Sequence, residues 1–103
     1  MYVIMSIHTP HPEHRDALVD SMRRFGAAMA GHEGLLSVST MQDEASDRLV
    51  GLAIFESQDA ANALLPLARA AVAGDDFGTW EAREIEGLKL IDITDPGRRP
   101  LQE

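Results

Sequence analysis

The order in which hydrophobic periodicities follow one another constrains this chain more than any other feature. Alternation with a period of two marks residues 2–9, 35–42, 49–55 and 85–93, and steps of three and four residues mark the stretch after the first of these. Along residues 2–9, Tyr2, Ile4, Ser6 and His8 point one way and Val3, Met5, Ile7 and Thr9 the other. Both faces are largely apolar, which is the pattern of a strand buried on both sides in the middle of a sheet. Pro10-His11-Pro12 breaks it. Pro12 suits a first helical turn, where its missing N–H would have no intrahelical partner, and Glu13 and Asp16 place negative charge at the positive end of the helix dipole. Leu18, Met22, Phe25 and Met29 then form one apolar stripe, with Asp20 and Arg24 spaced to pair on the opposite face. Gly31 is the expected stop.

Leu35 to Gln42 and Leu49 to Phe55 alternate again, separated by the polar run Asp43 to Asp47, and predict an antiparallel hairpin. Ser57 is placed to cap a second helix, with Asp59 in its first turn. Pro66 removes a backbone bond and crowds the carbonyl of Asn62, so a kink or break is expected near Leu65, with helix resuming over 67–73. Asp75 to Arg83 reads as irregular, Ile85 to Ile93 as the fourth strand, and Thr94 to Glu103 as a flexible tail. The organisation is thus one domain over residues 1–93 followed by the tail 94–103.

This is the β-α-β-β-α-β order of an α+β, ferredoxin-like fold with a four-stranded antiparallel sheet. Right-handed crossovers place both helices on one face, with the first and third strands central and the second and fourth at the edges. The other face then needs a cover, because Leu36, Val38, Val50, Leu52, Leu88 and Leu90 are too many apolar side chains to leave in water. A second copy of the sheet supplies one, so a homodimer is expected. Lys89 falls on an edge strand, where a charge guards against sheet-to-sheet aggregation or contacts a charged ligand.

Composition narrows the function classes. With 103 residues the chain has room for one core, and the absence of cysteine excludes disulfides, thiolate metal sites and a thiol nucleophile. A formal charge of −8 argues against nucleic acid or an anionic membrane as partner, since both demand a basic surface. The apolar N-terminus reads as a strand and not as a signal peptide, which makes the cytoplasm the expected compartment.

Three segments resemble a known family: Val3-Ile4-Met5-Ser6-Ile7, Gly34-Leu35-Leu36-Ser37-Val38, and the passage from Arg48 through Phe55-Glu56-Ser57 into the second helix. Together with the element order they are similar to the dimeric α/β-barrel superfamily, in particular its antibiotic biosynthesis monooxygenase-like domains, over about residues 1–93. The resemblance implies a dimeric α/β barrel and a cofactor-independent monooxygenase acting on a small aromatic or polyketide-like molecule. Haem-degrading members of that superfamily rely on an axial histidine on the second helix. Residues 57–73 contain no histidine here, so no haem and no other cofactor is expected.

The residues themselves offer few chemical groups. His8 lies at the exit of a central strand, where a pocket between sheet and helices can open; it reads either as a general base or as a buried imidazole satisfied by the backbone. Ser37, Ser39, Gly51, Ala53 and Phe55 are expected on the same face, where the small ones leave space for a ligand or for close helix packing. Ser37, Phe55, Asn62 and Trp80 are the candidate ligand-binding residues, Trp80 with Phe77 as an aromatic lid or as a plug for the core. Asn62 sits near the proline break. Asp75 and Asp76 are expected to fold back onto Arg69 or Arg83. The spacing of His8, His11 and His14 crosses strand, loop and helix, so a polar turn is preferred to a metal site. Besides the oxygenase, two readings stay open: a non-catalytic dimeric ligand-binding or stress-associated domain, and an isomerase or cyclase that needs a base but no oxygen.

Overall fold

The computed structural model describes residues 1–94. Its elements are β1 (Tyr2–His8), a short 3-10 turn (Pro12–His14), α1 (Arg15–Met29), β2 (Leu35–Gln42), β3 (Leu49–Phe55), α2 (Gln58–Ala71), α3 (Phe77–Trp80) and β4 (Glu86–Ile91). The strands form one antiparallel sheet in the order β2-β3-β1-β4, the ferredoxin-like arrangement with β1 and β3 central. The flexible tail expected from Thr94 onward lies, apart from Thr94, outside the described residues.

Local chemistry explains the boundaries. Asp20 and Arg24 pair at 2.9 Å on the solvent side of α1. Gly31 and Gly34 both have positive φ, +82° and +98°, so the turn from α1 into β2 uses backbone space that other residues avoid. At Gly34 an added Cβ would also meet the Cβ of Ala60 at 2.7 Å, so this glycine lets α2 seat against the start of β2. The Ser57 hydroxyl accepts from the Ala60 N–H at 3.1 Å and starts α2.

Three expectations need correction. First, α2 runs unbroken from Gln58 to Ala71 with Pro66 inside it. Pro66 lies on the exposed side, while Ala61, Leu64, Leu65 and Ala68 are buried, and this packed stripe carries the helix through the missing bond. Second, Asp75 pairs with Arg24 at 2.8 Å, and Asp76 caps α3 by accepting from the Thr79 N–H. Neither turns to Arg69 or Arg83. Third, a register shift between Leu35 and Ser37 flips the faces of β2. Val38 pairs with Ala53 and packs against the helix-side core, whereas Ser37 pairs with Ile54 and Ser39 with Leu52 on the opposite face. A one-residue bulge in a period-two element has this consequence.

The register grades the helix-facing side of the sheet along β1. Tyr2 lies opposite Phe55, Ile4 opposite Ala53, Ser6 opposite Gly51 and His8 opposite Leu49. At the Tyr2 end, Phe55, Met29, Leu64 and Leu65 fill the space between sheet and helices. Toward Ser6 and Gly51 the side chains shrink, and the layer is hollow. On the other face Met41, Leu88 and Leu90 are 43%, 46% and 38% exposed, a band of apolar surface that no element among the described residues covers.

Candidate functional site

The hollow end of the layer is a cavity of about 420 Å³, within the range of small-molecule sites. Ile4, Met22, Phe25, Val38, Ala53 and Phe77 give it an apolar wall. Its polar groups come from Ser6, His8, Ser21, Thr40, Arg69 and Asp75.

His8 is the centre of these. It is only 7% exposed, and both of its ring nitrogens are engaged. Nδ1 lies 2.6 Å from Oε2 of Glu81, and Nε2 lies 2.9 Å from Oγ of Ser6. The other oxygen of Glu81 accepts the Thr9 N–H at 3.1 Å. The Glu81 side chain is as buried as that of His8, 6% against 8% exposed. A buried carboxylate needs donors on both oxygens, and here it has them. A carboxylate accepts only, so Nδ1 carries a proton, and in the neutral imidazole Nε2 then presents its lone pair to the Ser6 hydroxyl.

Backbone pairing holds the acid in place. Pro10 bridges to Glu81, His11 N–H donates to the Trp80 carbonyl at 2.9 Å, and Ala82 N–H donates to the Thr9 carbonyl at 2.7 Å. These contacts clamp residues 80–82 alongside the exit of β1. Gly51 clears the space on the other side: a Cβ there would stand 2.8 Å from Ser6 Oγ.

Ser21, 1% exposed, closes no hydrogen bond of good geometry, yet its hydroxyl is the chief influence holding the Asp75 carboxyl below the ordinary carboxylate range. Desolvation opposes this, and the Arg24 guanidinium reinforces it.

Of the candidate catalytic and ligand-binding residues, His8 lines the cavity and Ser37, Phe55, Asn62 and Trp80 do not, whereas Ser39, Gly51 and Ala53, expected to leave space beside His8, do line it. Phe55 is fully buried in the core at the packed end, and Ser37 lies on the opposite sheet face. Asn62 is exposed on α2. Trp80 stacks edge-to-face on Phe77, ring centres 5.7 Å apart, and it is Phe77 that reaches the cavity. Glu81 and Ser6 were not singled out. A carboxylate 73 residues from its partner has no local signature; only the adjacency of β4 to β1 foreshadows it. Among the described residues no three His, Asp or Glu side chains are grouped to hold a metal, so His8, His11 and His14 form no such cluster.

The sequence profile of the antibiotic biosynthesis monooxygenase family matches residues 1–66. The chain belongs to that family. No curated protein sequence matches it. Among solved structures it is similar to Rv0793 from Mycobacterium tuberculosis, with 17% identity, a TM-score of 0.78, and 91% of this chain and 96% of that one covered. PA3566 from Pseudomonas aeruginosa gives 14% identity, a TM-score of 0.70 and coverage of 90% and 94%. A MhuD variant solved with two manganese protoporphyrin IX molecules bound per active site gives 17%, 0.70, and 92% and 97%. At these identities the likeness establishes the shared fold.

The porphyrin bound by MhuD raises the question of haem. A histidine axial ligand requires an imidazole with a free nitrogen facing the cavity. Among the described residues His8 is the only histidine in the cavity wall, and Glu81 and Ser6 engage both of its nitrogens; α2 carries no histidine. The donor set does not fit a histidine-ligated haem.

Proposed function

We propose that this family member is a cofactor-independent monooxygenase of a small aromatic or polyketide-like molecule, with His8 as its general base. The observation that carries the reading is the buried imidazole in the cavity wall, oriented by Glu81 so that its basic nitrogen faces Ser6. An imidazole held by a carboxylate and shielded from bulk water is the part that substrate deprotonation demands.

The chemistry balances with dioxygen as the only co-reactant. The substrate loses a proton to the base and becomes an electron-rich anion. One electron passes to dioxygen, and the two radicals combine to form the C–O bond of a peroxide. Protonation and loss of water, with cleavage of the O–O bond, leave a carbonyl. A CH₂ group thereby becomes C=O, and each atom of dioxygen is reduced by two electrons. The apolar wall would hold the anion in a dry environment.

The non-catalytic alternative called for a closed core filled by Phe25, Phe55 and Trp80. The cavity with His8 in its wall supports the enzyme instead. We also propose that the protein acts as a homodimer through the uncovered sheet face, where Met41, Leu88 and Leu90 lie. Oxygen consumption across a panel of hydroxyaromatic and anthrone-type compounds tests the activity. Turnover that is lost in His8→Ala supports it; no uptake with any compound that demonstrably binds overturns it.

A further inference from the structure

The general base does not meet the cavity alone. Its basic nitrogen, Nε2, is 2.9 Å from Ser6 Oγ, so the imidazole lone pair is already occupied by the serine hydroxyl. Glu81 fixes this polarity. Its Oε2 accepts from Nδ1–H and its Oε1 accepts from the Thr9 N–H, which in the neutral imidazole leaves Nε2 as acceptor and Ser6 as donor. The serine proton therefore points at the imidazole, and the oxygen lone pairs are left for whatever fills the cavity that Ser6 lines. Gly51 keeps the oxygen in this place, since a Cβ there would stand 2.8 Å from it.

We propose that Ser6 is the proton relay between ligand and His8, and that the acidic group this site accepts is a hydroxyl, phenolic or enolic, and not a C–H bond. The claim deepens the reading of His8 as base and rests on it. In a relay the ligand O–H donates to Ser6 Oγ while the Ser6 O–H donates to Nε2. As the ligand proton moves to the serine oxygen, the serine proton moves to the imidazole. One ligand O–H and one serine O–H break, and one serine O–H and one imidazole N–H form. The products are a ligand oxyanion and an imidazolium beside the Glu81 carboxylate. A carbon acid cannot use this route. It makes no strong hydrogen bond to the serine oxygen, and a neutral hydroxyl is too weak a base to take a proton from carbon.

The test uses 4-nitrophenol, which turns yellow on ionisation, with 4-nitroanisole as a control of similar shape and no acidic proton. With protein in excess, at a pH where the free phenol is mostly neutral, the wild type is expected to raise the phenolate-to-phenol ratio about tenfold, one unit of apparent acidity. It should also bind the phenol more tightly than the anisole. Ser6→Ala should bind both compounds equally and lose the yellow signal; Ser6→Thr, which retains a hydroxyl, should recover part of it. Ionisation by Ser6→Ala equal to wild type overturns the proposal. So does a wild type that fails to bind 4-nitrophenol, binds it without ionising it, or holds the anisole as tightly. If Ser6→Ala does not fold, the phenol-to-anisole comparison in the wild type decides alone. Turnover of a carbon acid that lacks a hydroxyl would refute the relay and leave the oxygenase reading standing. Ionisation without oxygen uptake from any bound compound would do the reverse.

Discussion

A glutamine at position 81 has the shape of the native glutamate but one acceptor oxygen in place of two. In the native site two donors converge on the carboxylate, the Nδ1–H of His8 at 2.6 Å and the Thr9 N–H at 3.1 Å. Glutamine satisfies both neighbours only if its oxygen accepts from Thr9 and its amide donates to Nδ1. The imidazole must then change tautomer, placing its proton on Nε2 and donating to Ser6. One amide hydrogen is left over where the native side chain is 6% exposed, which sets the cost at about 1–3 kcal/mol. Alanine is harsher. It removes two charge-assisted hydrogen bonds worth about 1.5–3 kcal/mol each, hence about 3–6 kcal/mol, against a typical domain stability of about 5–15 kcal/mol.

The two substitutions should therefore separate stability from chemistry. Glu81→Gln is expected to remain folded and yet to lose base catalysis by about 10²–10⁴-fold, because the lone pair has moved from the serine-facing nitrogen to the buried one. Urea titration followed by circular dichroism gives the stability order. The ¹⁵N shifts of the His8 ring report which nitrogen carries the proton, and phenol ionisation or oxygen uptake reports the base. The reasoning fails if glutamine destabilises as much as alanine. It fails equally if the variant keeps its proton on Nδ1, or if it changes tautomer and still acts as a base.

Gly31→Ala and Gly34→Ala both force alanine into positive φ, which costs roughly 1–2 kcal/mol, but only Gly34 also collides with Ala60, so its urea midpoint should fall further; equal losses would show that the α2 contact is not tight. Ser46, the Ala45 N–H and Arg48 lower the Asp43 carboxyl to about 2 from an ordinary 3.8, so its stabilisation is complete above the ordinary value and disappears as the pH falls through about 2. Urea midpoints measured from pH 5 to 2 should show a shallower acid-side decline in Asp43→Asn than in wild type, and identical slopes would refute the assignment. The double variant Leu88→Glu, Leu90→Glu puts charge on the uncovered face and is expected to give a monomer by light scattering at micromolar concentration; a wild type that is itself monomeric there refutes the proposed dimer.

Element order, both hairpin strands and the α1 stripe were legible because each repeats a period over two or more turns or pleats. What the sequence hid is of another kind. The bulge at the start of β2 is a single extra residue, without a glycine or proline to mark it, and it moved Ser37 and Val38 to the faces opposite those expected. Phe55 looked like a cavity residue because it shares a face with Gly51, but the register sets it against Tyr2 at the packed end. Pro66 looked like a break because local rules weigh the lost bond and cannot weigh four buried neighbours.

Glu81 is the instructive case, because the topology alone would have misplaced the charge. Carrying the β1–β4 register onward from Ile7–Glu86 would bring Arg83 opposite Pro10. The chain instead slips by two residues and bridges Pro10 to Glu81, so a carboxylate and not a guanidinium arrives beside His8. With a cation there, Nδ1 would have to accept, and Nε2 would carry the proton toward Ser6. The polarity of the whole Glu81–His8–Ser6 line, and with it the proposed ability to take a proton from a ligand, thus depends on an irregular step in the sheet that no residue pattern announces. An insertion or deletion between Trp80 and Ile85 should disturb the base while leaving α1, β2 and β3 intact, and selective loss of phenol ionisation in such a variant would carry this argument from geometry to function.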